Sequence, residues 1–346
     1  MTRSRLFVLS SSVIVAVGLA LVLGAIVLNP ARAAVGPLPG EALVLPAETT
    51  FVVGFDVKRL TASPFYQRYA RGNASMQPQA FGELQERTGI NPERDLDLVV
   101  IAGSKPAGGR TENGMGIVFV TGSFDRTRIT RAIETEKRGG VTWKQSRGTT
   151  LYLFNEGAKG AGAFAFLDDH TLVIGEQQGV EATVAGHADG RSALRSNGEL
   201  MALLEQVKPG STFWMVGDQS LLANMPKSIP APGMGSQDGS TSLALPALKS
   251  LTVTGDLDPA VALEVTGAAR DEAAAKQLAD IVRGFAALFA LQANQKPELK
   301  QLASAISVTT ETNQVHVNAR FPYELLDALQ PKRPGDGSKP SPSIDR

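Results

Sequence analysis

Cysteine is absent from all 346 residues. Thiol nucleophiles, disulfide exchange, iron–sulfur ligation and every cysteine-based zinc site go with it. Histidine is scarce: His170, His187 and His316 lie far apart in the sequence, so the commonest general base and metal ligand has few places to act. Net charge is also missing, with 34 basic residues against 34 acidic ones. A chain with no basic excess offers polyanions no broad face, which excludes nucleic acid as a partner of that kind. No G-x-S-x-G elbow, S-x-x-K pair or H-E-x-x-H helix occurs either.

What the chain does contain is one long uncharged run. Leu6 to Leu28 is 23 residues of Leu, Val, Ile, Ala, Phe and Gly, broken only by Ser10, Ser11 and Ser12. At about 1.5 Å per residue, a helix of that length crosses the roughly 30 Å hydrocarbon core of a bilayer. Arg3 and Arg5 precede it with no acid nearby, so the positive-inside bias holds the N-terminus in the cytoplasm and carries the body across. The run exceeds the apolar stretch of an ordinary cleaved signal, which implies a single-pass anchor in the inner or cytoplasmic membrane. The alternative is secretion after cleavage following Ala33, because Pro30 breaks the helix and Ala31-Arg32-Ala33 supplies a small-x-small site. Residues 1–33 hold Arg3, Arg5 and Arg32 but no acid, so the exported part carries 31 basic and 34 acidic residues, a charge of −3.

Residues 34–45, with Pro37, Pro39 and Gly40, read as a linker. Phe51 to Val57 suits a buried strand, and Ser63-Pro64 opens a helix. Strands follow at Leu96–Ala102 and Met115–Ser123, then a helix at Asp125–Lys137 with Ile129 and Ile133 on one face. After Gly139-Gly140 the period becomes two through Val141–Arg147, Thr150–Asn155, Ala163–Leu167 and Thr171–Gly175. Val180 and Val184 mark a short helix, and Asn197 caps another. The longest helix beyond the leader runs from Asp271 to about Ala293, and Ser307–Thr310 and Val315–Ala319 form a late hairpin. Residues 331–346 read as a disordered tail rich in Pro, Ser and Gly.

The pattern repeats. Thr50-Phe51-Val52-Val53-Gly54-Phe55-Asp56 is paralleled by Thr212-Phe213-Trp214-Met215-Val216-Gly217-Asp218, and Val120-Thr121-Gly122 by Val265-Thr266-Gly267. The strand pair Val141–Asn155 then corresponds to Ala305–Ala319. The expected fold is α+β: two related modules of mostly antiparallel sheet with helices packed on one face, at 46–207 and 208–330, the second carrying a flexible insertion at 225–247. One continuous sheet shared by both is the alternative.

Asp168-Asp169-His170 is the sequence's best candidate for chemistry, since two carboxylates and an imidazole can hold a divalent metal or serve a hydrolase. The triplet lies between two strands, where Asp and His are ordinary turn residues, and a turn is the expectation, with no metal, cofactor or catalytic residue assigned. Gly103 to Thr111 has the glycine spacing of a phosphate loop, but Pro106 and the strand that follows prevent the amides from being presented at a helix N-terminus. Asp56 and Asp218 read as helix caps, Trp143 and Trp214 as core or edge packing, and His187 and His316 as a loop and an outward-facing strand residue.

Leu45-Pro46-Ala47-Glu48-Thr49, Val53-Gly54-Phe55-Asp56-Val57, Ser63-Pro64-Phe65 and Gly89-Ile90-Asn91-Pro92-Glu93-Arg94-Asp95 together resemble a class of uncharacterised bacterial exported, membrane-anchored proteins. The resemblance covers Leu45 to Ser123 and implies an envelope location without an activity. The functional expectation is therefore a non-catalytic binding or scaffold module, anchored by Leu6 to Leu28, with an envelope protein as partner. The alternatives are a periplasmic or extracellular hydrolase using carboxylates and a small-ligand-binding domain.

Overall fold

The computed structural model describes residues 44–71, 79–104, 115–135, 141–154, 161–191, 193–223, 228–230, 242–292 and 297–329. The apolar run, the cleavage site, most of the linker, most of the glycine-rich segment after Gly103 and the tail lie outside them. Among the described residues, no helix is long and apolar enough to cross a membrane.

In chain order the elements are β1 (Phe51–Asp56), α1 (Val57–Ala62), a π turn (Tyr66–Ala70), α2 (Gln79–Thr88), α3 (Pro92–Asp95), β2 (Leu96–Ser104), β3 (Met115–Gly122) and α4 (Arg126–Thr135). Next come β4 (Thr142–Ser146), β5 (Thr149–Phe154), β6 (Gly162–Phe166), β7 (Thr171–Glu176), α5 (Gln177–Ala188), a 3₁₀ turn (Ala193–Ser196) and α6 (Gly198–Leu204). The chain continues through β8 (Phe213–Gly217), α7 (Gln219–Leu222), β9 (Ser228–Pro230), β10 (Ser242–Ala244), β11 (Leu248–Asp256) and β12 (Val261–Ala269). It closes with α8 (Glu272–Gln292), α9 (Pro297–Ser304), β13 (Ile306–Glu311), β14 (Gln314–Phe321) and α10 (Tyr323–Leu329).

Twelve strands form one antiparallel sheet in the order β13-β14-β12-β11-β8-β1-β2-β3-β7-β6-β5-β4. The α+β expectation holds, but the sheet runs without a break across residue 207. At its centre β1 pairs with β8, from Phe51 opposite Gly217 to Phe55 opposite Phe213, with Val53 opposite Met215. The join is reciprocal: the Asp56 N–H donates to the Thr212 carbonyl and the Asp218 N–H to the Thr50 carbonyl.

One row of direct cross-strand neighbours crosses all twelve strands on a single face: Val308, Val317, Val265, Val253, Met215, Val53, Ile101, Val118, Ile174, Phe164, Tyr152 and Trp143. Such same-face pairs are the unit of sheet stabilisation.

Helices cover both faces of the β1–β7 half, which corrects the one-face expectation. Ile129 of α4 packs with Val99, Phe164, Phe166 and Leu172 on the face of that row. On the other face Val180 and Val184 of α5 and Leu200, Leu203 and Leu204 of α6 pack with Val100, Ala102, Ile117, Phe119, Val173 and Trp214. The reason is in the sequence: β2, β3, β6 and β7 are apolar runs without alternation, so both sides need burial. β11, β12 and β14 instead place Thr252, Thr254, Glu264, Thr266 and His316 on one side, and α8 covers only the other, through Ala274, Ala275 and Ala279 against Val315.

Two further readings change. Val44 and Leu45, assigned to the linker, are buried in the main core. Asn197 does more than cap α6 by accepting from the Leu200 N–H: its Nδ2 also donates to the Ala47 and Thr49 carbonyls, fastening the chain's approach to β1. The described ends of the 225–247 insertion pair as a two-stranded ribbon, β9 with β10.

Candidate functional site

The Asp168-Asp169-His170 triplet forms the turn between β6 and β7, and its side chains go to three different partners. Asp168 Oδ1 accepts from the His170 backbone N–H at 2.7 Å, closing the turn. Asp169 reaches Arg126 of α4 at 2.6 Å with its side chain 82% exposed. His170 Nδ1 lies 3.2 Å from the Gly122 carbonyl, while the Gly122 N–H donates to the His170 carbonyl. Among the described residues, no three His, Asp or Glu side chains converge as a metal site would require.

The remaining histidines are separate. His187 sits in the last turn of α5, a helix where a loop was expected. His316 is half-buried and not outward-facing, with Nδ1 3.1 Å from Thr266 Oγ1 and Nε2 buried without a hydrogen-bond partner. Asp56 and Asp218 are the helix caps that the sequence indicates, accepting from Arg59 N–H and from Ser220 and Leu221 N–H. Burial pushes the Asp56 carboxyl above its usual range, against the opposing effect of the Arg59 N–H and guanidinium.

Beside the triplet lies a groove the sequence did not disclose, a cavity of about 200 Å³. Arg126 and Thr130 of α4 form one wall, Thr149, Thr150 and Tyr152 of β5 the other, with Phe166 beneath. The β4–β5 hairpin shapes it. Arg147 and Gly148, at φ 54° and 84°, make the two-residue turn, and positive φ at both positions matches the twist of paired strands. Arg147 bonds to Asp189 at 2.5 Å and Lys144 to Glu181 at 2.9 Å, tying the hairpin to α5 on the opposite face. The Arg126 guanidinium stands 4.7 Å over the Phe166 ring, so its charge is held by Asp169 on one side and an aromatic face on the other.

Trp143 stands on the neighbouring strand β4, directly opposite Tyr152 of the groove wall. It is 66% exposed on the edge strand, so of the two packing roles the core one is excluded. The signal was local. Thr142-Trp143-Lys144-Gln145-Ser146 is a strand whose only large apolar residue has no apolar neighbour on either side, the pattern of a strand at a sheet edge.

No protein-family model matches the chain, and no curated protein matches its sequence. Among solved structures, one described as "Structure of crystal form I of TP0453" aligns with 85% of this chain and 95% of its own, at 11% identity and a TM-score of 0.39.

Proposed function

We propose that the chain is a membrane-anchored, extracytoplasmic binding or scaffold protein without a catalytic centre, built on a duplicated α+β unit. The observation that carries the non-catalytic reading is the fate of the Asp168-Asp169-His170 triplet. Each of its three side chains makes one contact, to its own turn, to Arg126 in an exposed ion pair or to a backbone carbonyl, and among the described residues no three His, Asp or Glu side chains group as a metal site would require. Leu6 to Leu28 supplies the address.

Correspondences in the sheet support the duplication. Phe51 faces Gly103 and Phe213 faces Gly255 across paired strands. A methyl group on either glycine would meet that phenylalanine ring at 2.9 Å or less. Seven and five residues before these glycines, each strand carries its bulge, between Leu96 and Leu98 in β2 and between Leu248 and Ser250 in β11. Bulges occupy set positions within a fold. A fused pair of units gives a wide, stiff platform, which is what a scaffold needs.

The test is capture from detergent-solubilised membranes, with N-terminal sequencing of the mature chain. The Asp168→Ala, Asp169→Ala double variant is expected to keep the folded state and its captured partner. Loss of an Asp168 turn bond costs about 1 kcal/mol, and loss of an exposed ion pair less than that. A turnover activity abolished in this variant while the fold persists would establish the carboxylate hydrolase instead.

A further inference from the structure

We infer that the β4–β5 hairpin face is a binding site for a neutral carbohydrate, with Trp143 as its stacking platform; this rests on the binding-module reading and names its ligand class. Among the described residues, Trp143 is the one large apolar side chain standing exposed. It stands directly opposite Tyr152; Tyr152 in turn lies 6.0 Å from Phe164 and Phe164 5.0 Å from Phe166, centre to centre. Phe164 and Phe166 are buried, and the indole is carried by a paired strand and not by a loop.

The polar groups beside it are of one kind. Gln145 stands two residues along β4 on the same face, its Nε2 donating to Thr150 Oγ1 at 2.8 Å. Thr149, Thr150 and Thr130 bring hydroxyls to the groove. Amide and hydroxyl groups both donate and accept, which suits a ligand whose own hydroxyls do the same. The one cation there, Arg126, is neutralised by Asp169, so the groove has no net charge to recruit a phosphate or carboxylate. At about 200 Å³ it is smaller than the ~300–1,000 Å³ pockets that enclose drug-sized molecules. One sugar ring seats in it while the next lies on the indole. A sugar ring has an apolar C–H face and a polar rim, and the ledge offers the matching pair.

The experiment is a calorimetric titration of the full chain in detergent with the neutral oligosaccharides chitohexaose and cellohexaose. Binding of at least one is expected. Trp143→Ala is expected to weaken it about tenfold or more, and Gln145→Ala by a smaller factor. Lys249→Ala, at an exposed position of β11 in the other half of the sheet, leaves it unchanged. Trp143 is too exposed for its loss to unfold the sheet, and circular dichroism checks this. No heat with either sugar, binding indifferent to Trp143→Ala, or tighter binding of a charged polysaccharide would each overturn the assignment. If sugars fail while the native chain still captures an envelope protein, the binding-module reading survives and this site does not. Loss of that captured protein on Trp143→Ala would reassign the ledge to protein docking.

Discussion

Gly54→Ala is expected to destabilise the protein by about 3 kcal/mol, a large fraction of the roughly 5–15 kcal/mol that holds a domain folded. Gly54 is opposite Trp214 in the β1–β8 pair, and the indole lies flat across it. A methyl group there would sit 2.3 Å from Trp214 Cε2 and 2.6 Å from Nε1. The indole has nowhere to retreat: it is 1% exposed and belongs to the main core. Close packing leaves no compliant space around such a ring. Trp214→Leu alone is expected to cost about 3 kcal/mol through the cavity it opens. The double variant should cost well under the sum, because the smaller side chain removes the collision. Urea denaturation of the four proteins measures this. Additive losses would mean that the two residues do not meet.

The second large effect concerns the halves. Residues 46–207 expressed alone are expected to be insoluble or to form a dimer, never a stable monomer. Cutting there strips β8 from β1, leaves the Thr50 carbonyl and the Asp56 N–H without their partners, and removes Trp214 and Val216 from the core that holds Val52 and Val100. A long apolar strand edge is a template for pairing. The join is reciprocal about Val53 and Met215, so the substitute partner is a second β1 in antiparallel register. Light scattering during gel filtration distinguishes the outcomes. A folded, cooperatively unfolding monomer would restore two independent modules with a boundary near residue 207.

Local order was legible and long-range pairing was not. The hairpin turns, the Asn197 cap, the Asp56 and Asp218 caps and the alternation of β13 and β14 follow from propensity and period over a few residues. The β1–β8 join ties segments about 160 residues apart, and nothing in either segment names the other. The apolar runs of β2, β3 and β6 did carry the news of two-sided burial, in their lack of alternation.

The proposed repeat calls for a different alignment from the one that local pattern suggests. Matching Val120-Thr121-Gly122 to Val265-Thr266-Gly267 is off by two residues: pairing through Gly103 with Gly116, and Gly255 with Leu263, sets Val120 at the station of Gly267. A slip of two keeps every side chain on its own face, so hydrophobic pattern cannot detect it. The strand pair was also misassigned. β6–β7, and not β4–β5, lies beside β3 as β13–β14 lies beside β12. The β4–β5 hairpin is an addition at the edge, and it is there that Trp143 emerges.

The proposed address is open to one direct measurement, and the absence of cysteine makes it clean. A single Ser304→Cys substitution on the exposed end of α9, and separately Thr2→Cys ahead of the apolar run, gives each variant one thiol. Intact cells are then treated with a membrane-impermeant maleimide. The account predicts labelling at position 304 before lysis, labelling at position 2 only afterwards, and both variants in the membrane fraction. Labelling at 304 that requires lysis, or recovery of the intact chain from the cytosol, would contradict it.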